Sequence, residues 1–394
     1  MSEQDLIDVQ ELAPAEVAEV DLYQRREKIY TRKIEGFFQR LRLFTGWPLL
    51  LGYFLLPWLN WGGRQAVWFD LPERKFHLLG LTLWPQDFPF LAMLLIIAAI
   101  TLFFFTALLG RVWCGFACPQ TVWTEAFIWM EQWTEGTRSQ RMKLDRAPMS
   151  WNKFRRKFAK QFLWITFSLW TGYTFVGYFT PIREFGVELL SFQVGGWALF
   201  WTLFYGFATY GNAGYMREQV CKYMCPYARF QSAMFDKDTL VISYDKSRGD
   251  PRGSRKRDSD YKAKGLGDCI DCTLCVQVCP TGIDIRDGLQ YECIACGACV
   301  DACNSIMDKM SYPRGLVRYT TEHAVSGTET RIIRPRVIVY ATLLTVLVGG
   351  LATAMLTRTP VILDVIRDRN ALYRELPSDL IENTYTIKII NQSN

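Results

Sequence analysis

Hydrophobic and polar positions fall in long blocks along this chain. Five stretches contain no Asp, Glu, Lys or Arg: Leu43–Gly63, Phe88–Gly110, Gln161–Ile182, Leu189–Met216 and Val337–Thr357. Each has 21 to 28 residues, and about 20 apolar residues in a helix cross a hydrocarbon core. One such run fits a buried helix of a large soluble protein. Five cannot all find a soluble core in a chain of 394 residues. The pattern predicts a mainly α integral membrane protein with five transmembrane helices. A long polar insert separates the fourth helix from the fifth. The mean hydropathy of +0.02 averages these two unlike populations.

Charge adds an orientation. Of 45 Lys and Arg residues, 36 lie in the segment before the first run, the loop Arg111–Lys160 and the stretch Arg217–Arg336. The alternate segments, the stretch after Thr357 included, hold nine. Cytoplasmic loops carry the excess of Lys and Arg, so those three segments and the N-terminus are expected in the cytoplasm and the C-terminus outside it. Trp58, Trp61, Trp68 and Trp84 read as an interfacial aromatic belt around the first external loop. The first 40 residues are polar and mixed in charge, unlike a cleavable signal peptide. Many aromatics and a net charge of +6 exclude a disordered chain. Two histidines exclude a multi-haem cytochrome.

The insert carries the strongest chemistry. Cys269-x-x-Cys272-x-x-Cys275-x-x-x-Cys279-Pro280 is followed by Cys293-x-x-Cys296-x-x-Cys299-x-x-x-Cys303. This is the bacterial two-cluster ferredoxin spacing, in which the fourth Cys of each run ligates the other run's cluster. One [4Fe–4S] cluster then takes Cys269, Cys272, Cys275 and Cys303. The other takes Cys293, Cys296, Cys299 and Cys279. A zinc site would use four ligands, not eight in two matched runs. The insert is therefore expected to be a ferredoxin-like (α+β) electron relay on the cytoplasmic side. The expected organisation is an N-terminal segment 1–42, a four-helix domain 43–235, a basic linker 236–268, the ferredoxin domain 269–335, a fifth helix 336–358 and an external segment 359–394. Arg255-Lys256-Arg257 in the linker faces an anionic leaflet rather than a nucleic acid in this reading.

The remaining four cysteines form two Cys-x-x-x-Cys-Pro motifs, Cys114–Pro119 and Cys221–Pro226. Each follows the inward end of an even-numbered span. The proline disfavours helix at Cys118 and Cys225, placing each at a helix end or break. Two hairpins entering from one side and ending in the same motif read as a repeat about an axis along the membrane normal, which brings the pairs together. Soft thiolates select Cu(I), zinc or iron–sulfur, and a dithiol can also cycle through a disulfide. Arg111, Arg217 and Lys222 stand close enough in sequence to lower thiol pKa values. Met130, Met142, Met216 and Met224 are nearby soft ligands, of which only Met224 lies inside a motif. His77 and His323 are assigned no role.

From about Lys28 onward the chain resembles the accessory proteins of cbb3-type cytochrome c oxidase, the CcoG family, also called FixG or RdxA. The resemblance rests on Leu59-Asn60-Trp61 to Leu71-Pro72, Trp84-Pro85-Gln86-Asp87, Gly110 to Gln120, Arg248 to Gly253, the double cysteine run and Met307 to Tyr319. It implies an iron–sulfur protein of the bacterial inner membrane that reduces Cu(II) to Cu(I) for oxidase assembly. Cys114, Cys118, Cys221 and Cys225 would form its catalytic copper site. Its partners would be copper ions, a copper chaperone or transporter, the oxidase catalytic subunit and an electron donor not identified by the sequence. The chain would lie in a lipid bilayer, with no nucleic-acid role, and a homodimer is compatible with the pattern. Two alternatives stand beside this: an electron-transfer subunit taking electrons from quinol or ferredoxin, and a non-catalytic copper carrier. Family members continue into a periplasmic β-sandwich. Here Thr384–Ile390 alternates like its first strand and the sequence stops at Asn394, so a lone strand is expected, which cannot form a sandwich.

Overall fold

The computed structural model describes residues 28–257, 259–359, 361–367, 373–375 and 381–391, so the first 27 residues of the expected N-terminal segment lie outside the described residues. Each charge-free run contains a long helix, but helix ends and run ends differ. Helix α1 is Phe37–Leu55. The rest of its run forms a 3₁₀ turn and β1 (Asn60–Trp61), which pairs antiparallel with β2 (Arg64–Gln65) just beyond it. An antiparallel meander follows: β3 (Val67–Asp70), β4 (Lys75–Leu78) and β5 (Leu81–Leu83). The loop expected outside the membrane is thus a small sheet, with Asp70, His77 and Thr82 buried. His77 Nδ1 lies 3.2 Å from Thr82 Oγ1.

Helix α2 is Phe88–Leu109. The expected loop Arg111–Lys160 is itself helical: α3 (Val112–Phe116), α4 (Pro119–Glu135), α5 (Arg138–Arg146) and the first turns of α6 (Trp151–Val176). Charged residues enter α6 because they have partners. Lys157 and Lys160 Nζ each lie 2.9 Å from Glu135 Oε1. After α7 (Ile182–Leu190), α8 (Gly196–Thr209) passes into a π-helix at Tyr210–Met216. A second π-helix, Val220–Met224, leads to α9 (Pro226–Met234).

The stretch expected as a linker is instead built into the insert. Strand β6 (Val241–Tyr244) pairs antiparallel with β7 (Val317–Thr320), from Val241↔Thr320 to Tyr244↔Val317. Between them come α10 (Lys246–Gly249), α11 (Leu274–Val278) and α12 (Ala298–Met310), and α13 (Glu322–Val325) follows β7. Arg255 in the basic segment sits over the ring of Tyr261, 4.3 Å from its centroid, and donates to Gly267 O at 2.7 Å. Its positive charges therefore serve internal packing as well as the surface.

The last long helix is α14 (Pro335–Leu356). It packs on α2, while α6 packs on α8 and α4 on α6. Gly172 lies against the backbone of Thr202 and Gly206, so α6 and α8 meet at the close range that small residues allow. Among the described residues, two helical segments, Pro85–Leu109 and Pro335–Leu356, are long and apolar enough to cross a membrane. The others are less uniform. Helix α1 opens with Arg40 and Arg42, α6 opens with five Lys or Arg, and α8 has 14 residues before its π-helix. Beyond α14, β8 (Val361–Arg367) pairs with β11 (Tyr385–Asn391), and β9 (Arg374–Glu375) with β10 (Ile381–Glu382). The C-terminal strand is therefore not alone: its partner is Val361–Arg367, whose alternation is interrupted by the Val361-Ile362-Leu363 start.

Candidate redox site

The two cysteine runs fold alike. The residues on either side of the second Cys are left-handed in both: Asp271 and Thr273 around Cys272, Ala295 and Gly297 around Cys296. For a non-glycine residue this costs on the order of 1 kcal/mol, and it repeats because each loop must curl around a small volume. Gly297 has a second reason, since a Cβ there would run into the Phe38 ring.

Each curl encloses a cavity. Cys269, Cys272, Cys275 and Cys303 line one, walled by Leu274, Ile306 and Met307. Cys279, Cys293, Cys296 and Cys299 line the other, walled by Ile242, Ile283 and Ile294. The fourth Cys of each run has crossed to the other run's cavity. Cys275 borders both. The N–H groups of Val276, Ala295, Ala298 and Val317 donate to the sulfurs of Cys275, Cys293, Cys296 and Cys303. Among the described residues, no three His, Cys, Asp or Glu converge tightly enough to hold a single metal ion. Four thiols spread about an apolar cavity suit a cubane, whose four irons each take one thiolate, and inward N–H groups stabilise its negative charge. The donor sets fit two [4Fe–4S] clusters.

The other four cysteines lie near one another at the contact between the insert and the helices, with no three of them drawn together as a preformed single-metal site. Cys118 and Cys225 are both extended and each immediately precedes a helix, α4 or α9, that begins with proline. Cys114 lies within reach of the charges of Cys118 and Cys221, and Cys118 and Cys221 within reach of Cys225. The two motifs are also tied through Gln120, whose Nε2 donates to Asn212 O at 2.9 Å and Arg217 O at 3.1 Å. Burial pushes the Cys114 thiol up to about 12 and Cys221 to about 11, with Arg111 acting in the opposite direction on both. The N–H groups of Gln120 and Thr121, at the start of α4, point at Cys118 and favour its thiolate against the burial that raises its pKa. Met224 is largely exposed. Arg217 turns away to Glu131, 2.9 Å from its Oε2.

Cys114 packs directly on the insert's apolar core, beside Leu274, Ile294 and Cys296. Gly115 makes this possible. A Cβ there would lie 2.8 Å from the carbonyl oxygens of Ile294 and Ala295 and 2.9 Å from Cys296 Cα. The first motif and the second cavity thus touch backbone to backbone. Arg111 spans the same contact. Its Nε donates to Gln231 Oε1 at 2.5 Å, Nη2 to Ala228 O at 2.6 Å, and Nη1 to Cys293 O at 3.2 Å and to Tyr291 O. Cys114 Sγ lies 3.5 Å from the same Gln231 oxygen. In the sequence Arg111 stands out only as a neighbour of the thiols, and nothing there signals Gly115 or Gln231. Such contacts join residues more than 100 positions apart.

Comparison with known proteins places these features. Residues 216–322 match the family profile of the 4Fe-4S dicluster domain, 91–136 that of a 4Fe-4S binding domain, and 351–394 the IG-like fold at the C-terminal of FixG. The chain is 36% identical to the nitrogen fixation protein FixG of Rhizobium meliloti, covering 94% of this chain and 78% of that protein. It is 40% identical to both RdxB and RdxA of Cereibacter sphaeroides, covering 94% of this chain and 80% and 81% of theirs. No solved structure matches the chain. Identity of this extent, the dicluster match and the two four-cysteine cavities lead to one conclusion: the chain belongs to the FixG/RdxA family of iron–sulfur proteins.

Proposed function

We propose that this protein is a membrane-bound cupric reductase in which Cys114, Cys118, Cys221 and Cys225 bind Cu(II) and release Cu(I) for assembly of a copper-containing oxidase. The observation that carries this reading is the packing of Cys114 and Gly115 on the loop of the second cavity. A thiol site in backbone contact with a redox centre is placed to receive electrons. The bound clusters would supply single electrons, replenished by an external one-electron carrier. Each electron converts one Cu(II) to one Cu(I), a form that soft thiolates favour. Cys118 and Cys225 contribute thiols beside helix N-termini, where the N–H groups stabilise negative charge. Arg111, Gln120 and Gln231 fix the two motifs relative to each other.

In this reading all five long helices cross the bilayer, with the insert in the cytoplasm. Exposed apolar side chains on each support it, among them Trp47, Leu95, Phe162, Phe200 and Val346, as does the Lys and Arg asymmetry. Reporter fusions at residues 72, 145, 192 and 330 should alternate between external and cytoplasmic signals.

A second reading has an observation of its own. The 4Fe-4S binding profile spans 91–136, which holds only Cys114 and Cys118. Joined by Cys221 and Cys225, those thiols would make a four-thiolate set for electron transfer without copper. Anaerobic protein reduced with dithionite and freed of excess reductant should convert added Cu(II) to Cu(I), read with a Cu(I)-specific chelator, in proportion to the electrons stored. The variant with all four motif cysteines changed to serine should keep the eight-cysteine cluster spectrum and lose the conversion. Equal Cu(I) yields from the two proteins would defeat the reductase reading. Iron content above that of two cubanes, lost in the variant, would favour the second.

A further inference from the structure

The two cluster cavities have arginines of different kinds. Beside the first, Arg286 is held by two carboxylates, Asp284 at 2.6 Å and Asp271, so its charge is cancelled locally. Beside the second, Arg42 is paired with Glu125 at 2.8 Å. Arg111 differs. It is 5% exposed, and no carboxylate pairs with it among the described residues; its partners there are carbonyl and amide oxygens. A buried cation without a counter-charge is costly. The negative groups that face it are sulfurs: Cys293 of the second cavity on one side, Cys114 and Cys221 of the motif site on the other.

The structure assigns Arg111 as a positioning residue whose uncompensated charge is balanced by the cluster held at Cys293 and by the motif thiolates, and which thereby raises the potential of the second cluster. A reduced cluster carries one more negative charge than an oxidised one, so a nearby fixed cation favours reduction, and local charge and hydrogen bonds are known levers on these potentials. The same side chain donates to the backbone of Cys293 and, through Gln231, touches Cys114. The charge that attracts the electron thus stands at the face where the insert meets its acceptor. The acceptor's identity rests on the reductase reading; the effect on the cluster does not.

The test is a redox titration of the full-length protein without copper, following each cluster by electron paramagnetic resonance. Arg111→Gln should lower the potential of one cluster and leave the other unchanged, whereas Arg111→Lys should stay near wild type. Gln231→Glu provides an independent arm, because it sets a carboxylate beside Arg111 with almost no change of shape. It should lower the same potential even where Arg111→Gln assembles poorly. Unchanged potentials in Gln231→Glu, with both clusters present, would overturn the assignment. So would equal shifts in Arg111→Lys and Arg111→Gln, since geometry rather than charge would then be responsible. Failure of copper reduction with these shifts intact would count against the reductase reading alone.

Discussion

Valine in place of Gly115 is expected to leave both clusters assembled and to slow their reoxidation by Cu(II) by up to about a hundredfold, the scale on which a displacement on the order of 1 Å acts between groups that must meet. The new side chain would be driven into backbone atoms of Ile294, Ala295 and Cys296. Backbone cannot swing aside as a flexible side chain can, so the insert must move away from Cys114. The measurement is stopped-flow bleaching of the cluster absorbance after Cu(II) is mixed with reduced protein. Alanine, with two carbons fewer to accommodate, should fall between glycine and valine. A valine variant that reoxidises at the wild-type rate would show that electrons do not pass at this contact. Intact visible absorbance before mixing separates this effect from a failure to assemble the clusters.

The second large effect is on stability. Glu131 is fully buried and takes Arg141 at 3.2 Å, Arg217 at 2.9 Å and Lys28 at 3.2 Å. Burial alone would raise its pKa, but Arg217, Lys28 and Arg141 outweigh it and hold the carboxyl at about 2. Removing one member of a buried ion network leaves the others uncompensated, so Glu131→Ala should cost about 3–5 kcal/mol. It should also loosen the arm at Lys28–Thr31 from α5. Thermal unfolding in detergent, read by tryptophan fluorescence, reports the loss. The pH dependence has a definite sign. A carboxyl lowered from 4.5 to about 2 in the fold stabilises fully above 4.5 and loses that contribution as pH falls through 2. The alanine variant should lack this part of the acid sensitivity, and an unchanged acid profile would remove Glu131 from the network.

The cysteines were the most legible part of the sequence. Fixed gaps of two residues bring sulfurs into one cavity, and the crossing of Cys279 and Cys303 between cavities follows from the same spacing. Charge-free runs located the long helices for an equally direct reason, since an unpaired charge is costly in an apolar surrounding. The converse inference failed in α4 and α6. Glu131, Glu135, Lys157 and Lys160 fall in the stretch read as a loop, yet inside the structure Glu135 pairs with Lys157 and Lys160, and Glu131 with Arg141. Charge in a sequence signals exposure only until a partner is brought to it by the fold. The linker failed for a related reason: β6 finds its strand partner more than 70 residues later. Gly115 shows the limit most plainly, because a missing side chain carries no pattern.

The two Cys-x-x-x-Cys-Pro motifs are alike in sequence but unlike in backbone form. Cys114 sits in a short α-helix clamped between the insert and Arg111, whereas Cys221 sits in a π-helix that follows another π-helix. The wider π turn is a form frequent at functional sites. Cu(II) prefers tetragonal surroundings, while soft thiolates suit Cu(I). In the proposed reductase reading, a site with one α-helical and one π-helical half would follow that change by moving Cys221 in its π-helix. The contact through which Cys114 meets the insert would stay undisturbed throughout.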